Sequence, residues 1–204
     1  MIRHAQTPLN LTPDVVNGRS NHMGLTEEGV EQAHRLGRGL LKANLFPTKV
    51  FSSPAKRCLL TATISLQEMG LDTQPLVQHA IQELSHGPWE GQPRDEAYPP
   101  AVLADMKAQG KDFKLPGGES MNDVGQRMHG WVTETFADTP PADSPARYFV
   151  YTHNGSIKYL ASLLYGWSHQ QSYDFNVDNT ALSLLTIENG EMDFAYLNRD
   201  VEDL

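Results

Sequence analysis

The chain has 204 residues, a formal charge of −9 and a pI near 5.3, so it lacks the basic footprint that nucleic acid or an anionic membrane requires. One local cluster of Arg and His can still hold an anion. A single cysteine, Cys58, excludes an intramolecular disulfide and a Cys-rich metal motif. With no long apolar run and no signal-peptide core, the expectation is one cytoplasmic domain over residues 1–204.

Residues 8–25, rich in Pro, Asn and Gly, read as a surface loop. Thr26-Glu27-Glu28 opens a helix, with Thr as N-cap and acids set against the dipole. Val30, Ala33, Leu36, Leu40 and Leu41 recur on it at helical spacing. Lys49-Val50-Phe51 predicts a short strand. Ser52-Ser53-Pro54 predicts a strand-to-helix turn with Pro at the first helical position. That helix runs to about Met69, is buried along Leu59, Ala62, Leu66 and Met69, and stops at Gly70. Pro75 to Gln78 suggests another strand, leading into Ile81-Gln82-Glu83-Leu84. Residues 85–118, with five prolines and five glycines, look like an insertion holding one short helix near 100–109. Ser120 and Asp123 form a capping-box pattern for a helix to about Phe136. Residues 138–145 read as a proline-rich linker turn. Tyr148–Tyr151 is a continuous apolar run, as in a strand covered on both faces. Thr152-His153-Asn154-Gly155-Ser156 is a second strand-to-helix turn, with a helix to about Tyr165. Ala181–Ile187 and Met192–Leu197 flank a hairpin signal, Glu188-Asn189-Gly190-Glu191.

Strands alternating with helices predict a three-layer α/β/α sandwich on a mostly parallel sheet, with ligands outside the carboxyl ends of the strands. Arg3-His4, Ser52-Ser53 and Thr152-His153 each stand at such an end and are expected to converge. A neutral imidazole such as His4 can attack phosphorus if one ring nitrogen is free and the other donates, a backbone carbonyl being the natural acceptor. Arg3, Arg57 and His153 are candidate cationic donors to phosphoryl oxygens, and Glu83 is a candidate acid. Taken singly, each residue has an ordinary reading: Arg57 a surface arginine, His153 a capped core histidine, Asn154-Gly155 a turn, Glu83 a solvated acid. The eight histidines show no HExxH pattern, and Gly117-Gly118 is not a phosphate loop because no Lys-Ser or Lys-Thr follows. No metal and no cofactor are expected.

Set in order, RHAQTPLN, GRSNHMGLTEEG, SSPAKRCLLTA, QELSHGPWEG, PGGES, THNGSIK and VDNTALSLL resemble the histidine phosphatase superfamily, with its phosphoglycerate-mutase-like fold, nearly end to end. The resemblance implies that His4 is the phosphorylated nucleophile. It places Arg3, Arg57 and His153 around the phosphate, Asn10 as a pocket donor and Glu83 as the acid. Arg19 and Asn154, together with Ser85, His86 and Arg94, are candidate substrate contacts. Two features depart from the family pattern. Ala5-Gln6 replaces Gly-Glu, which asks whether the backbone there has a positive φ and removes one negative charge. Only Met1 and Ile2 precede Arg3-His4, so either a clipped central strand or a misassigned start codon is expected. ELSHGPWEG in place of an ERHYG-type stretch, with a short insertion, resembles the phosphatase branch. The expected activity is metal-independent hydrolysis of a small phosphorylated metabolite, such as phosphoserine or a sugar or glycerate phosphate. Phosphoglycerate mutase activity and a non-catalytic phosphate-binding relative are the alternatives.

Overall fold

The structure, a computed structural model, describes residues 1–137 and 146–204; the linker turn read at 138–145 lies outside them. At its centre is a six-stranded sheet in the order β3-β2-β4-β1-β5-β6. β1 (Ile2–Arg3), β2 (Lys49–Ser52), β3 (Leu76–Val77) and β4 (Tyr148–Thr152) run parallel. β5 (Leu182–Glu188) pairs antiparallel with β1, and β6 (Glu191–Arg199) pairs antiparallel with β5. The hairpin turn puts Asn189 and Gly190 at φ 53° and 83°, both positive as in a type I′ turn.

Helices cover both faces, as the alternation of buried residues demands. Val50, Phe149 and Tyr151 pack with Leu36 and Leu40 of α1 (Glu27–Lys42) and Ala62 and Leu66 of α2 (Lys56–Glu68). Phe51 and Val150 point the other way, onto Val124, Met128 and Trp131 of α5 (Met121–Phe136) and Ile157 and Leu160 of α6 (Asn154–Tyr165). This period of two, apolar on both faces, is the pattern of a buried central sheet. The insertion adds α3 (Arg94–Ala97) and α4 (Pro100–Gln109), built on a small core of Val16, Ala97 and Leu115. A bridge between Val15 and Pro93 ties the insertion to the 8–25 loop. A short helix at residues 169–174, α7 (His169–Asp174), was not expected; Ser168 and Gln171 cap it.

Two expected helix details change. Val30 and Leu41 of α1 are exposed, and the buried stripe passes through Gly29 and Gly37 instead. A Cβ at Gly29 would lie 2.1 Å from the Gln6 carbonyl oxygen, and one at Gly37 2.5 Å from that of Ser65. Bare backbone is what lets α1 lie against the first turn and α2. Helix α2 starts at Lys56, so Pro54 precedes it rather than opening it. The cause is Ser53, whose N–H still donates to the Tyr151 carbonyl (3.0 Å) and extends the strand ladder by one residue. The inner face of α2 carries Arg57, Cys58, Thr61 and Ser65 beside Ala62 and Leu66, while Leu59 is only half-buried. Thr61 and Ser65 satisfy their hydroxyls on the carbonyls of Arg57 (2.7 Å) and Thr61 (2.8 Å).

Strand β1 is two residues long, yet it is bonded on both sides. His4 N–H reaches the Thr152 carbonyl, and Arg3 N–H reaches that of Ala181. The Met1 carbonyl accepts from Ser183. No helix among the described residues is long and apolar enough to cross a membrane.

Candidate active site

The carboxyl ends of β1, β2 and β4 meet at a cavity of about 210 Å³ whose wall includes Arg3, His4, Asn10, Arg57, Glu83 and Asn154. His4 leaves the end of β1 with its side chain buried. Its Nδ1 lies 2.8 Å from the Ala5 carbonyl oxygen, which can only accept, so Nδ1 carries the proton and Nε2 keeps its lone pair. Burial, then the charges of Arg57 and Arg3, hold its pKa well below the ordinary 6.5. The backbone is clamped from the far end of the chain: Asn179 Nδ2 donates to the His4 carbonyl at 2.8 Å. Next to it, Thr180 has φ 62°, a left-handed conformation rare for a β-branched residue. Its N–H donates to the Arg3 carbonyl.

Arg3 donates through Nη1 to the Val177 carbonyl, and its Nε is buried without a protein partner. A buried donor left unpaired costs stability, and the guanidinium as a whole borders the cavity. Arg57 is more heavily engaged. Nη1 reaches the carbonyls of Arg19 (2.8 Å) and Ser20 (3.0 Å), and Nη2 reaches His153 Nδ1 (3.1 Å). Its guanidinium therefore pins the 18–20 loop while forming part of the wall.

His153 departs from expectation. It is fully buried, stands at the N-terminal boundary of α6 without a side-chain capping bond, and sits behind the wall with its ring centroid 5.3 Å from that of His4. Arg57 can only donate, so Nδ1 accepts and Nε2–H donates to Ser53 Oγ at 2.8 Å. Burial, Arg57 and His4 push its pKa well below 6.5. A neutral ring that accepts from Arg57 is not the cationic donor that the sequence suggested.

Glu83 faces the cavity with both oxygens fixed: Oε1 accepts from Leu84 N–H (2.8 Å) and Oε2 from Gly155 N–H (3.1 Å). A Cβ on residue 155 would stand 2.1 Å from Glu83 Oε1, so bare backbone at Gly155 is what lets the carboxylate lie against the first turn of α6. Asn10 Oδ1 accepts from Thr7 N–H (2.9 Å), leaving its amide nitrogen as the available donor. Asn154 donates to Asn176 (2.7 Å) and accepts from Val177 N–H (3.0 Å), and thereby holds the segment that anchors Arg3. Arg19 does not line the cavity. Its Nε meets the Glu83 carbonyl (3.4 Å) and Nη2 pairs with Glu119 (3.3 Å). Glu119 is fixed in turn by Arg127 (2.9 Å).

The departures in the first motif have local answers. Ala5 is absent from the positive-φ residues, so no glycine is needed there. Gln6 accepts from the Thr26 hydroxyl (2.9 Å) and does not line the cavity. Ser85 is turned toward Glu90 and Glu119. His86 lines the cavity and also a second chamber of about 490 Å³, beneath the insertion, on whose wall Arg94 lies. No group of three or more His, Cys, Asp or Glu that could hold a metal occurs among the described residues. By sequence, Asn179, Thr180 and Gly155 have no assigned site role, although the first two lie in VDNTALSLL and Gly155 in an Asn-Gly pair; Ser53 stands at one of the strand ends expected to converge.

Comparison with known proteins gives the arrangement a family. A 2,3-bisphosphoglycerate-dependent phosphoglycerate mutase of Methylobacterium radiotolerans is 31% identical over 180 residues, covering 87% of this chain and 83% of that protein. The structure of a mycobacterial glucosyl-3-phosphoglycerate phosphatase superposes with a TM-score of 0.80 at 27% identity, covering 98% of this chain and 97% of that one. Phosphoserine phosphatase of Entamoeba histolytica, solved with 3-phosphoglyceric acid, shares the fold at 20% identity, with a TM-score of 0.80 over 100% of this chain and 97% of that one. The family model of the histidine phosphatase superfamily, branch 1, matches residues 1–200. The chain belongs to that superfamily, whose members here are phosphatases and phosphoglycerate mutases.

Proposed function

We propose that the protein is a metal-independent phosphomonoesterase acting on a small phosphorylated metabolite through a phosphohistidine on His4. The observation that carries this reading is the His4 ring, with Nδ1–H spent on Ala5 and an unprotonated Nε2 beside two arginines. Nε2 attacks phosphorus and the P–O bond to the organic group breaks. Glu83 gives its proton to the departing oxygen. Water then attacks the phosphohistidine, the P–N bond breaks, and Glu83 takes a proton from that water. Arg3, Arg57 and the Asn10 amide steady the phosphoryl oxygens, whose charge spreads in the transition state. His153 acts behind them as a positioning residue, holding Arg57 by accepting from it.

Hydrolysis of p-nitrophenyl phosphate should persist in excess EDTA, and brief exposure to a labelled substrate should leave an acid-labile, base-stable phosphoryl group on the protein. Complete loss in EDTA with recovery on adding a divalent ion, or absence of that label, overturns the reading. The 31% identity to a phosphoglycerate mutase favours a second one. In it the phosphohistidine is discharged onto phosphoglycerate rather than water. With 3-phosphoglycerate and 2,3-bisphosphoglycerate present, isomer exchange faster than release of inorganic phosphate would establish the mutase.

A further inference from the structure

We propose that the substrate carries a second anionic group and that Lys158 receives it; this rests on the phosphatase reading above and narrows its substrate class. Lys158, in α6, is 8% exposed. It lines both the His4 cavity and the larger chamber, which also share His86, Asn154 and Tyr159. Its Nζ meets one backbone carbonyl, that of Phe175 at 3.3 Å, and lies 5.2 Å from the Tyr159 ring centre. Among the described residues no carboxylate forms an ion pair with it. Glu83 and Asp174 act on it only from beyond ion-pair distance, and a buried cation with no directly paired carboxylate costs stability. Two of the three ammonium protons remain for a ligand.

Two more basic side chains line the chamber, the exposed Arg94 and the half-buried His169. Arg94 is stacked on Tyr98, 5.2 Å from the ring centre, without an ion pair among the described residues. His169 Nε2 is buried and unpartnered. With the phosphoryl group at Arg3, His4 and Arg57, the organic part of the ester extends toward the chamber. Lys158, at the junction, then meets an anion only a few bonds from the ester oxygen. A carboxylate and a second phosphate share this chemistry.

The test compares kcat/KM of the full chain and its Lys158→Met variant for three esters: glycerol 3-phosphate, 3-phosphoglycerate and propane-1,3-diol bisphosphate. At least one doubly anionic ester should exceed glycerol 3-phosphate in the wild type, and Lys158→Met should lower that ratio by about 10–100-fold, chiefly through KM. The arm that carries the preference identifies the group, and Lys158→Arg should restore part of it. General damage to the fold lowers all three rates together and leaves the ratios intact. Ratios unchanged by Lys158→Met, or no preference in the wild type, overturn the inference. If the variant does not fold, wild-type inhibition decides. Phosphoglycolate must compete against p-nitrophenyl phosphate about ten times more tightly than ethyl phosphate does, and equal inhibition overturns the inference. A wild type that hydrolyses no ester, p-nitrophenyl phosphate included, refutes the phosphatase reading instead. Calorimetric binding of phosphoglycolate and ethyl phosphate to the wild type and to Lys158→Met then tests Lys158: a preference for phosphoglycolate that the variant loses supports it, and equal binding, or a preference the variant keeps, overturns it.

Discussion

His4 and His153 stand at the carboxyl ends of adjacent parallel strands, β1 and β4, with ring centroids 5.3 Å apart. Both are buried, and both are held neutral by burial and by Arg57. Their ring nitrogens are committed differently. His4 spends only Nδ1, on the carbonyl of the next residue, and lines the cavity. His153 spends both nitrogens, one accepting from Arg57 and the other donating to Ser53, and lies one layer deeper. In the proposed mechanism the same residue type, at equivalent strand ends and in one electrostatic field, is divided into an attacking group and a brace by its hydrogen-bond partners and its depth behind the cavity wall.

The sharpest way to break this comparison is to delete each ring. His4→Ala removes the proposed nucleophile, and kcat should fall by about 10⁴-fold or more with loss of the phosphoryl label. His153→Ala removes a partner of Arg57, so the expected loss is nearer 10²-fold, as for one displaced transition-state donor, with labelling retained. Equal losses and absence of label in both variants would erase the distinction. Single-turnover measurements with labelled substrate check both.

Glu83 sharpens the same division, because a nucleophile is effective only if its leaving group can depart. An alkoxide needs a proton in the transition state, whereas p-nitrophenolate leaves unaided. Glu83→Gln should therefore slow phosphorylation of His4 by alkyl phosphates by about 10²–10⁴-fold. The same step with p-nitrophenyl phosphate should slow far less. Equal losses on both, measured in single turnovers because dephosphorylation is also affected, would take Glu83 out of the acid's role. His86, on the same cavity wall, would be examined next.

The strand ends that bring these residues together were legible because their signals are local. Thr26 and Ser120 cap their helices as read, the latter with Asp123 in a capping box, and Asn189-Gly190 turns the hairpin. Packing between distant segments left no such trace. Gly29 and Gly37 interrupt an apolar stripe, and only the approach of Gln6 and Ser65 shows why. Ser53 and Asn179 meet their histidines across 100 and 175 residues; the strand ends put Ser53 near His153, but neither residue's neighbours name its hydrogen-bond partner. Arg19, in the GRSNHMG stretch, is a candidate substrate contact by sequence. Its guanidinium is instead drawn to Glu119, an acid that reads locally as part of a turn. Helix α7 spans six residues, too few for a helical period to show.

The smallest predicted effect concerns stability, and its sign follows from the neutrality the two rings share. In the unfolded chain both histidines titrate near their ordinary 6.5, while in the folded protein both pKa values lie well below it. As pH falls through 6.5 the unfolded state takes up protons that the folded state refuses. Stability is therefore complete above that pH and declines below it until the folded-state values are reached. Each ring contributes a slope of at most about 1.4 kcal/mol per pH unit over that window. Urea unfolding between pH 7 and 5.5 should show the wild-type free energy falling as pH drops. Carboxylates that titrate at the lower end affect wild type and variants alike, so the difference between them isolates the histidines. His4→Asn and His153→Asn should each remove about one ring's share of the slope, although only one of them abolishes labelling. A variant whose slope matches the wild type would show that its ring takes a proton as readily in the folded protein as in the unfolded chain. For His153 that would mean Nδ1 no longer accepts from Arg57, and the brace would lose its physical basis.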